Sequence, residues 1–576
     1  MALPHERMSA LAPAQLFNSA QPSIEEVRAQ VERTYLAWTR FRHFTQEQVD
    51  AIVEAVAAAA RTHAAQLAEM AAAETGYGNA RDKLTKNMLA AETLPRRMRG
   101  MRTLGVLKED REQGIVEIGE PMGVIAAILP TTNPTSTAIY KTLIALKSGN
   151  GIVLSPHPRA RACTCETAAV LAAAAEQAGA PEGIVGCIGT STLESTTELM
   201  RHRRTAVILS TGGSGIVRAA YSSGKPAFGV GPGNVPVLVD VSADIGHAVA
   251  NIIRGKTLDY GTLCSSEQTV VAERSLRDLI LAEFRARKSH RCDAGQTAAL
   301  ERRLMTKEFT IHADCVGQPA STMARMAGFT VPDDTPLLLI ELSGIGKEHP
   351  LSAEKLTTVL GLYFVENFEA ALAACEATLQ FGGLGHTCGI YSTDDQRIQE
   401  YARRMPAFRA VANTPTSLGS TGATTNLFPA MTLGCGAVAG NSTSDNVGPL
   451  HLVNIKRLAY GAADSIGPER EQVIGAVKRY LERRGGTLAP GSVPARPSPP
   501  VSSPSVSSPP VSSASPPVAV ADFVCEDDVR QAVRDSRKIF IGPKTIVTPS
   551  ARDYASMHDT LVMTGASPPK KQRQSE

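Results

Sequence analysis

The chain has 576 residues, 43% of them hydrophobic and 20% charged, with a net charge of +3. This is the composition of a soluble globular protein with several domains; the charge is too small to imply nucleic-acid or membrane binding, and no apolar run is long enough to cross a bilayer. Ten cysteines without CxxC pairs, and a start (Met1-Ala-Leu-Pro-His-Glu-Arg7) without an apolar leader, point to a reducing, cytoplasmic setting; no metal site is read.

After an N-terminal extension over residues 1–22, helical patterns alternate with short β-branched runs as far as residue 460, which predicts parallel α/β layers. The patterns give a helix over 45–74, a strand over 123–129, a helix over 135–146, a strand over 151–155, a helix over 161–179, and strands over 206–209 and 235–240. The run Ile128-Leu-Pro-Thr-Thr-Asn-Pro-Thr-Ser-Thr137 leaves a strand and opens a helix, so its N–H groups and small hydroxyls face a ligand at a helix N-terminus. Within it Asn133 offers an amide donor of the kind an oxyanion needs, although Asn-Pro read alone is loop punctuation. Leu209-Ser-Thr-Gly-Gly-Ser-Gly215 is again strand, glycine turn and helix. Its glycines let a dinucleotide phosphate approach the backbone, without the GxGxxG spacing. A further glycine-rich turn, Gly229-Val-Gly-Pro-Gly-Asn234, precedes the strand over 235–240.

Next comes Lys256-Thr-Leu-Asp-Tyr-Gly-Thr-Leu-Cys-Ser-Ser-Glu-Gln268. Gly261 and the polar residues after Cys264 describe a thiol presented at the end of an element, and a thiolate is the best side-chain nucleophile toward carbonyl carbon. A single cysteine by itself reads equally as packing. Phe381-Gly-Gly-Leu-Gly-His-Thr387 places His386 among glycines that suggest an exposed loop, and Met431-Thr-Leu-Gly-Cys-Gly436 is a sharp turn. An amphipathic helix is expected over 468–484, with Val473, Ile474, Val477 and Leu481 on one face. Residues 490–517 are almost wholly Pro, Ser, Val and Ala, an extended tether that could reach about 80 Å. Beyond it, an acidic helix start at Asp527-Asp528 leads into Val529, Ala532 and Val533. Two short strands are expected around Gly542-Pro543, then a helix opening at Thr548-Pro549.

In the order EPMGVIAAILPTTNPTSTAIYKTLIALKSGN, VLSPHPRA, STGGSGIVRAAYSSGKPAFGVGPGN, KTLDYGTLCSSEQ, GGLGHT and TLGCG, the chain from about residue 23 to 460 resembles the CoA-acylating aldehyde dehydrogenases. The similarity extends to the dehydrogenase half of bifunctional aldehyde–alcohol dehydrogenases and to propionaldehyde dehydrogenases of bacterial microcompartments. A Pro/Ser linker stands where the iron-dependent domain of the bifunctional enzymes would start. The resemblance implies an α/β aldehyde dehydrogenase fold. It would comprise a Rossmann-like cofactor-binding domain over 23–240 with a β-arm near 114–120, a catalytic domain over 241–430, and a return segment with an oligomerisation arm over 431–460. An extra helix over 461–489, a disordered linker over 490–520, a small module over 521–564 and a disordered tail over 565–576 would follow.

It further implies roles. Cys264 would attack a short aliphatic aldehyde, Asn133 and the Cys264 N–H would hold the oxyanion, hydride would pass to NAD, and coenzyme A would take the acyl group from the thioester, assisted by His386. Pro130, Thr131, Thr132, Ser155, His157, Thr211, Gly212, Gly213, Gly231 and Glu341 would line the NAD site, with Ser155 and His157 on the adenosine-ribose side and Glu341 at the nicotinamide ribose, although the usual Glu-x-Phe pattern is absent there. Hydrolytic relatives carry a glutamate base where this chain has Val230-Gly-Pro-Gly-Asn234, without a carboxylate. The implied partners are a small aldehyde and CoA, a second copy or three (homodimer or homotetramer), and microcompartment shell proteins bound through residues 521–564, whose TIVTPSARD run resembles terminal segments of microcompartment enzymes. A hydrolytic dehydrogenase forming a carboxylate and a catalytically silent shell-associated scaffold are the alternatives.

Overall fold

The structure is a computed structural model, and it describes residues 13–461 and 521–563, apart from Asp559, together with Gly475 and Arg479. Residues 1–12, and the expected linker and tail, lie outside the described residues, as does the helix over 468–484 apart from those two positions. The two described stretches, 13–461 and 521–563, belong to two separate compact units.

The first unit opens on a helix, Pro13–Phe41, which runs through the expected domain start at residue 23. A long helix follows over Gln46–Thr75, begun by a Thr45–Gln48 capping box and ended by Gly76 in the left-handed conformation. It packs on helices Pro134–Lys147 and Arg161–Gln177, which lie against a five-stranded parallel sheet in the order Val185–Cys187, Gly151–Ser155, Val124–Ile128, Thr205–Thr211, Ala227–Val230. The central strands Val124–Ile128 and Gly151–Ser155 are buried at every position, as expected of a sheet covered on both faces. Helix Pro134–Lys147 is buried along its whole length beneath them.

A second parallel sheet has seven strands, ordered His290–Arg291, Leu338–Glu341, Val359–Val365, Glu267–Glu273, Val235–Val239, Cys388–Tyr391, Ala410–Ala412. The strand Val235–Val239 therefore belongs to this sheet. The expected boundary at residue 240 is corrected to the turn before the strand, because Val237 pairs with Val270 and Gly389 rather than with the first sheet. A third sheet is antiparallel and solvated, with Gly105–Asp110, Ile115–Pro121 and Val453–Ala459 side by side. The arm near 114–120 and the return segment are thus partners in one sheet.

The second unit folds a smaller parallel sheet, Ala521–Val524, Ile539–Val547, Leu561–Met563, with helices Glu526–Arg534 and Pro549–His558 between the strands. The two strands expected around Gly542 are one strand with a register break, where Ala521 pairs with Ile541 but Phe523 pairs with Ile546. Val529 is fully buried against Val524, Ala532, Ile539, Ala551 and Ala555, so the apolar stripe of its helix builds the module's own core.

Candidate active site

A cleft of about 610 Å³ lies between the two parallel sheets of the first unit. From the five-stranded sheet come segments that leave the carboxyl ends of strands: Leu129–Asn133, Pro156–Pro158, Thr211–Gly213 and Val230–Pro232. From the seven-stranded sheet come segments that enter the amino ends of strands: Cys264 before Glu267–Glu273, and Glu354 and Leu356 before Val359–Val365.

Of the residues singled out in the sequence, Pro130, Thr131, Thr132, Asn133, His157, Thr211, Gly212, Gly213, Gly231 and Cys264 line this cleft. Ser155 does not; it is buried one residue beneath the surface, its hydroxyl 3.1 Å from that of Thr196, which takes its place on the wall. Glu341 is corrected too. It ends its strand at the carboxyl edge of the seven-stranded sheet, away from the cleft, with its carboxylate held by the guanidinium groups of Arg277 at 3.0 Å and Arg291 at 2.5 Å. The carboxylate in the cleft is Glu354, which accepts from the Gly233 N–H at 3.1 Å and which burial raises to about 8. Glu354-Lys-Leu356 is a nearer match to the Glu-x-Phe pattern than Glu341 is, and that was the signal available in the sequence.

Cys264 follows a turn of three left-handed residues, Asp259 (φ 51°), Tyr260 (φ 53°) and Gly261 (φ 78°), at the end of helix Ile245–Thr257. The polar residues that follow it, Ser265 to Gln268, are fully buried rather than solvated. Its sulfur is half-buried and 3.1 Å from Nε2 of His386. His386 is not on an exposed loop. It has no exposed surface, because the helix Phe368–Thr378 widens into a π-helical turn over Leu379–Gly383 and folds the glycine segment under the thiol. Burial, with the Arg409 guanidinium, lowers His386 to about 3, and burial, with Glu354, raises Cys264 to about 12. The resting pair is therefore a neutral thiol beside a neutral imidazole. Nδ1 lies 2.9 Å from the Thr387 hydroxyl, and the tautomer that donates there leaves Nε2 free to accept the Cys264 proton. Gly233 makes this packing possible, since a Cβ there would stand 2.3 Å from the Cys264 carbonyl oxygen and 3.1 Å from the imidazole. Cys388 and Cys435 are buried and lie outside the cleft wall.

Behind the opposite wall, buried Lys141 ties two strands together by donating to the Ile128 and Leu209 carbonyls at 2.7 and 2.9 Å. The Thr211 hydroxyl is buried without a partner, and a Cβ added at Gly213 or Gly215 would meet nothing within 4 Å. An orphaned hydroxyl and open glycine backbone at the start of helix Ser214–Tyr221 fit the phosphates of a dinucleotide.

The sequence profile of the aldehyde dehydrogenase family matches residues 6–299. The chain is 42% identical over 452 residues to the bifunctional aldehyde–alcohol dehydrogenase of Escherichia coli K12; the match covers 78% of this chain but spans only about half (51%) of that protein. An acetylating aldehyde dehydrogenase from Geobacillus thermoglucosidasius superposes with a TM-score of 0.76 at 45% identity, covering 77% of this chain and 98% of that one. The propionaldehyde dehydrogenase of Rhodopseudomonas palustris, solved with CoA and an acylated cysteine, gives a TM-score of 0.70 at 27% identity, covering 75% and 97%.

Proposed function

This chain belongs to the aldehyde dehydrogenase family, and from that premise we propose that it oxidises a short aliphatic aldehyde to its acyl-CoA thioester. The observation that carries the reading is a cleft-lining thiol backed at 3.1 Å by a buried imidazole, where the adjoining Val230–Asn234 stretch has no carboxylate to activate water. Cys264 passes its proton to His386 Nε2 as its sulfur adds to the aldehyde carbon, and the new oxyanion is held by the Asn133 amide. NAD, when bound along Thr211–Gly213 and His157, supplies the hydride acceptor. Loss of hydride leaves an acyl thioester on Cys264. Once the imidazolium has released that first proton to solvent, His386 takes the proton of the CoA thiol, whose sulfur attacks the thioester; the Cys264 sulfur departs and takes the proton back from His386, so that acyl-CoA and the free Cys264 thiol are released. Propionaldehyde and acetaldehyde are the short aliphatic aldehydes that the family resemblance favours.

The test is NADH formation from propionaldehyde with and without CoA. Turnover that requires CoA and yields propionyl-CoA supports the proposal; CoA-independent turnover to propionate identifies a hydrolytic enzyme; no turnover in either case leaves the silent scaffold.

The outer strand Val453–Ala459 exposes Ile455 and Leu458, which supports the arm as the seat of a homodimer or homotetramer. The second unit has its own core, which supports residues 521–563 as a separable module that docks on a microcompartment shell. Deleting residues 490–576 is expected to leave turnover in place and to abolish co-purification with shell proteins. Val529→Asp is expected to do the same by placing a charge in the module's core.

A further inference from the structure

An amide is two-ended. Only the NH₂ end of Asn133 can donate to an oxyanion, and a half-turn about its last torsion would present a repelling carbonyl oxygen instead. The structure holds a device that reads the difference. Asn133 Oδ1 accepts from Lys86 Nζ at 2.6 Å, while Nδ2 donates to the Thr132 hydroxyl at 3.0 Å. An ammonium has donors only, so beside Lys86 the oxygen end of the amide is favoured and the NH₂ end is turned toward Thr132 and the cleft wall.

Lys86 is itself fixed. It lies 3% exposed on helix Ala80–Met88, ion-paired with Asp259 and donating to the Thr262 hydroxyl at 3.2 Å. Asp259 has no exposed surface and takes further bonds from Lys83 at 3.0 Å, Thr262 Oγ1 at 2.7 Å and the Asn79 N–H at 2.8 Å. Lys83 in turn donates to the Thr132 carbonyl at 3.1 Å. Asp259 sits in the left-handed turn that delivers Cys264, and it packs so closely on Gly78 that a Cβ there would fall 1.8 Å from Oδ1. Two lysines on one helix thus tie the Asn133 loop to the carboxylate of the Cys264 turn. The two proposed oxyanion donors, the Asn133 amide and the Cys264 N–H, are keyed to one buried ion cluster rather than to each other.

We infer that Lys86 is a positioning residue of the reaction: paired with Asp259, it sets the orientation of the Asn133 amide so that its NH₂ group meets the developing oxyanion. The inference rests on the proposed role of Asn133, and the experiment separates the two. Propionyl-CoA formation is measured for wild type, Asn133→Ala, Lys86→Met and the double variant, with the Kd for NAD and the melting temperature of each. Asn133→Ala is expected to lower kcat on the order of a hundredfold. Lys86→Met is expected to lower it about tenfold or more through partial flipping, with the KM for NAD held within twofold. The double variant is expected to match Asn133→Ala alone, because Lys86 acts only through that amide. Additive losses in the double variant, or a Lys86→Met enzyme with unchanged kcat, overturn the inference. An Asn133→Ala enzyme of normal kcat instead overturns the role of Asn133 itself. If Lys86→Met does not fold, Lys86→Gln keeps a donor for the amide oxygen and must show a smaller loss with the same non-additivity; additivity there overturns the inference equally.

Discussion

The two parallel sheets of the first unit face the cleft with opposite ends. The five-stranded sheet offers the carboxyl ends of its strands, where turns such as Thr211–Gly213 run into helix N-termini and favour phosphate. The seven-stranded sheet offers amino ends: Cys264, Glu354 and His386 all stand just ahead of a strand. One side supplies open backbone donors and almost no charge. The other supplies a thiol, an imidazole and a carboxylate, each displaced by burial toward its neutral form. The phosphate-favouring turns and the nucleophile thus stand on different sheets, and variants should separate them.

The largest effect is expected at the thiol. Cys264→Ser should reduce acyl-CoA formation to background while the Kd for NAD, read by fluorescence titration, stays within about twofold, because a hydroxyl ionises far less readily than a thiol and the phosphate side is untouched. Normal turnover in this variant would move the nucleophile elsewhere. Gly233→Ala should come next. Its new methyl group would collide with the Cys264 carbonyl, and a displacement of about 1 Å at the reacting atoms costs roughly a hundredfold in rate. NAD affinity should again be nearly unchanged.

The acidity of the site provides a third test. With Cys264 raised to about 12 and His386 lowered to about 3, neither group titrates between pH 6 and 10 in the resting enzyme. The fraction of thiolate therefore grows with every unit of pH in that window, and inactivation by iodoacetamide should accelerate about tenfold per unit without levelling. A plateau reached near pH 7 would reveal a preformed thiolate–imidazolium pair and break the neutral-pair description.

The asymmetry of the two sheets also governs what could be read from sequence. On the phosphate side, strand, glycine turn and helix follow one another in the chain, so Pro130 to Asn133 and Thr211 to Gly213 were legible, as were the strands over 123–129 and 151–155. The place of Cys264 on the cleft wall was legible from its turn and company. The burial of His386 was not, since a π-helical turn that folds glycines inward leaves no composition signal different from an exposed loop. The core role of Val529 was likewise hidden, because an amphipathic stripe looks the same whether it meets a partner or its own sheet.

Glu341 and Glu354 give the smallest and most pointed contrast. Glu341 occupies the carboxyl end of its strand, which is where the general rule for parallel sheets places ligand-binding groups. In this sheet the rule is inverted, and that end faces Arg277 and Arg291 instead of the cleft. Glu341→Gln should therefore leave kcat and the KM for NAD within about twofold and cost little stability, since partly exposed ion pairs contribute roughly 0–1 kcal/mol. Glu354 stands half-buried in the cleft wall beside Cys264, on a Glu-x-Leu segment that fits the family's ribose contact. Glu354→Gln should raise the KM for NAD about fivefold, the scale of losing one neutral hydrogen bond of about 1 kcal/mol, with a smaller change in kcat. Steady-state kinetics on the two variants side by side decides the matter. If Glu341→Gln weakened NAD and Glu354→Gln did not, the cofactor would reach the carboxyl edge of the seven-stranded sheet, and the division of labour between opposite strand ends would have to be abandoned.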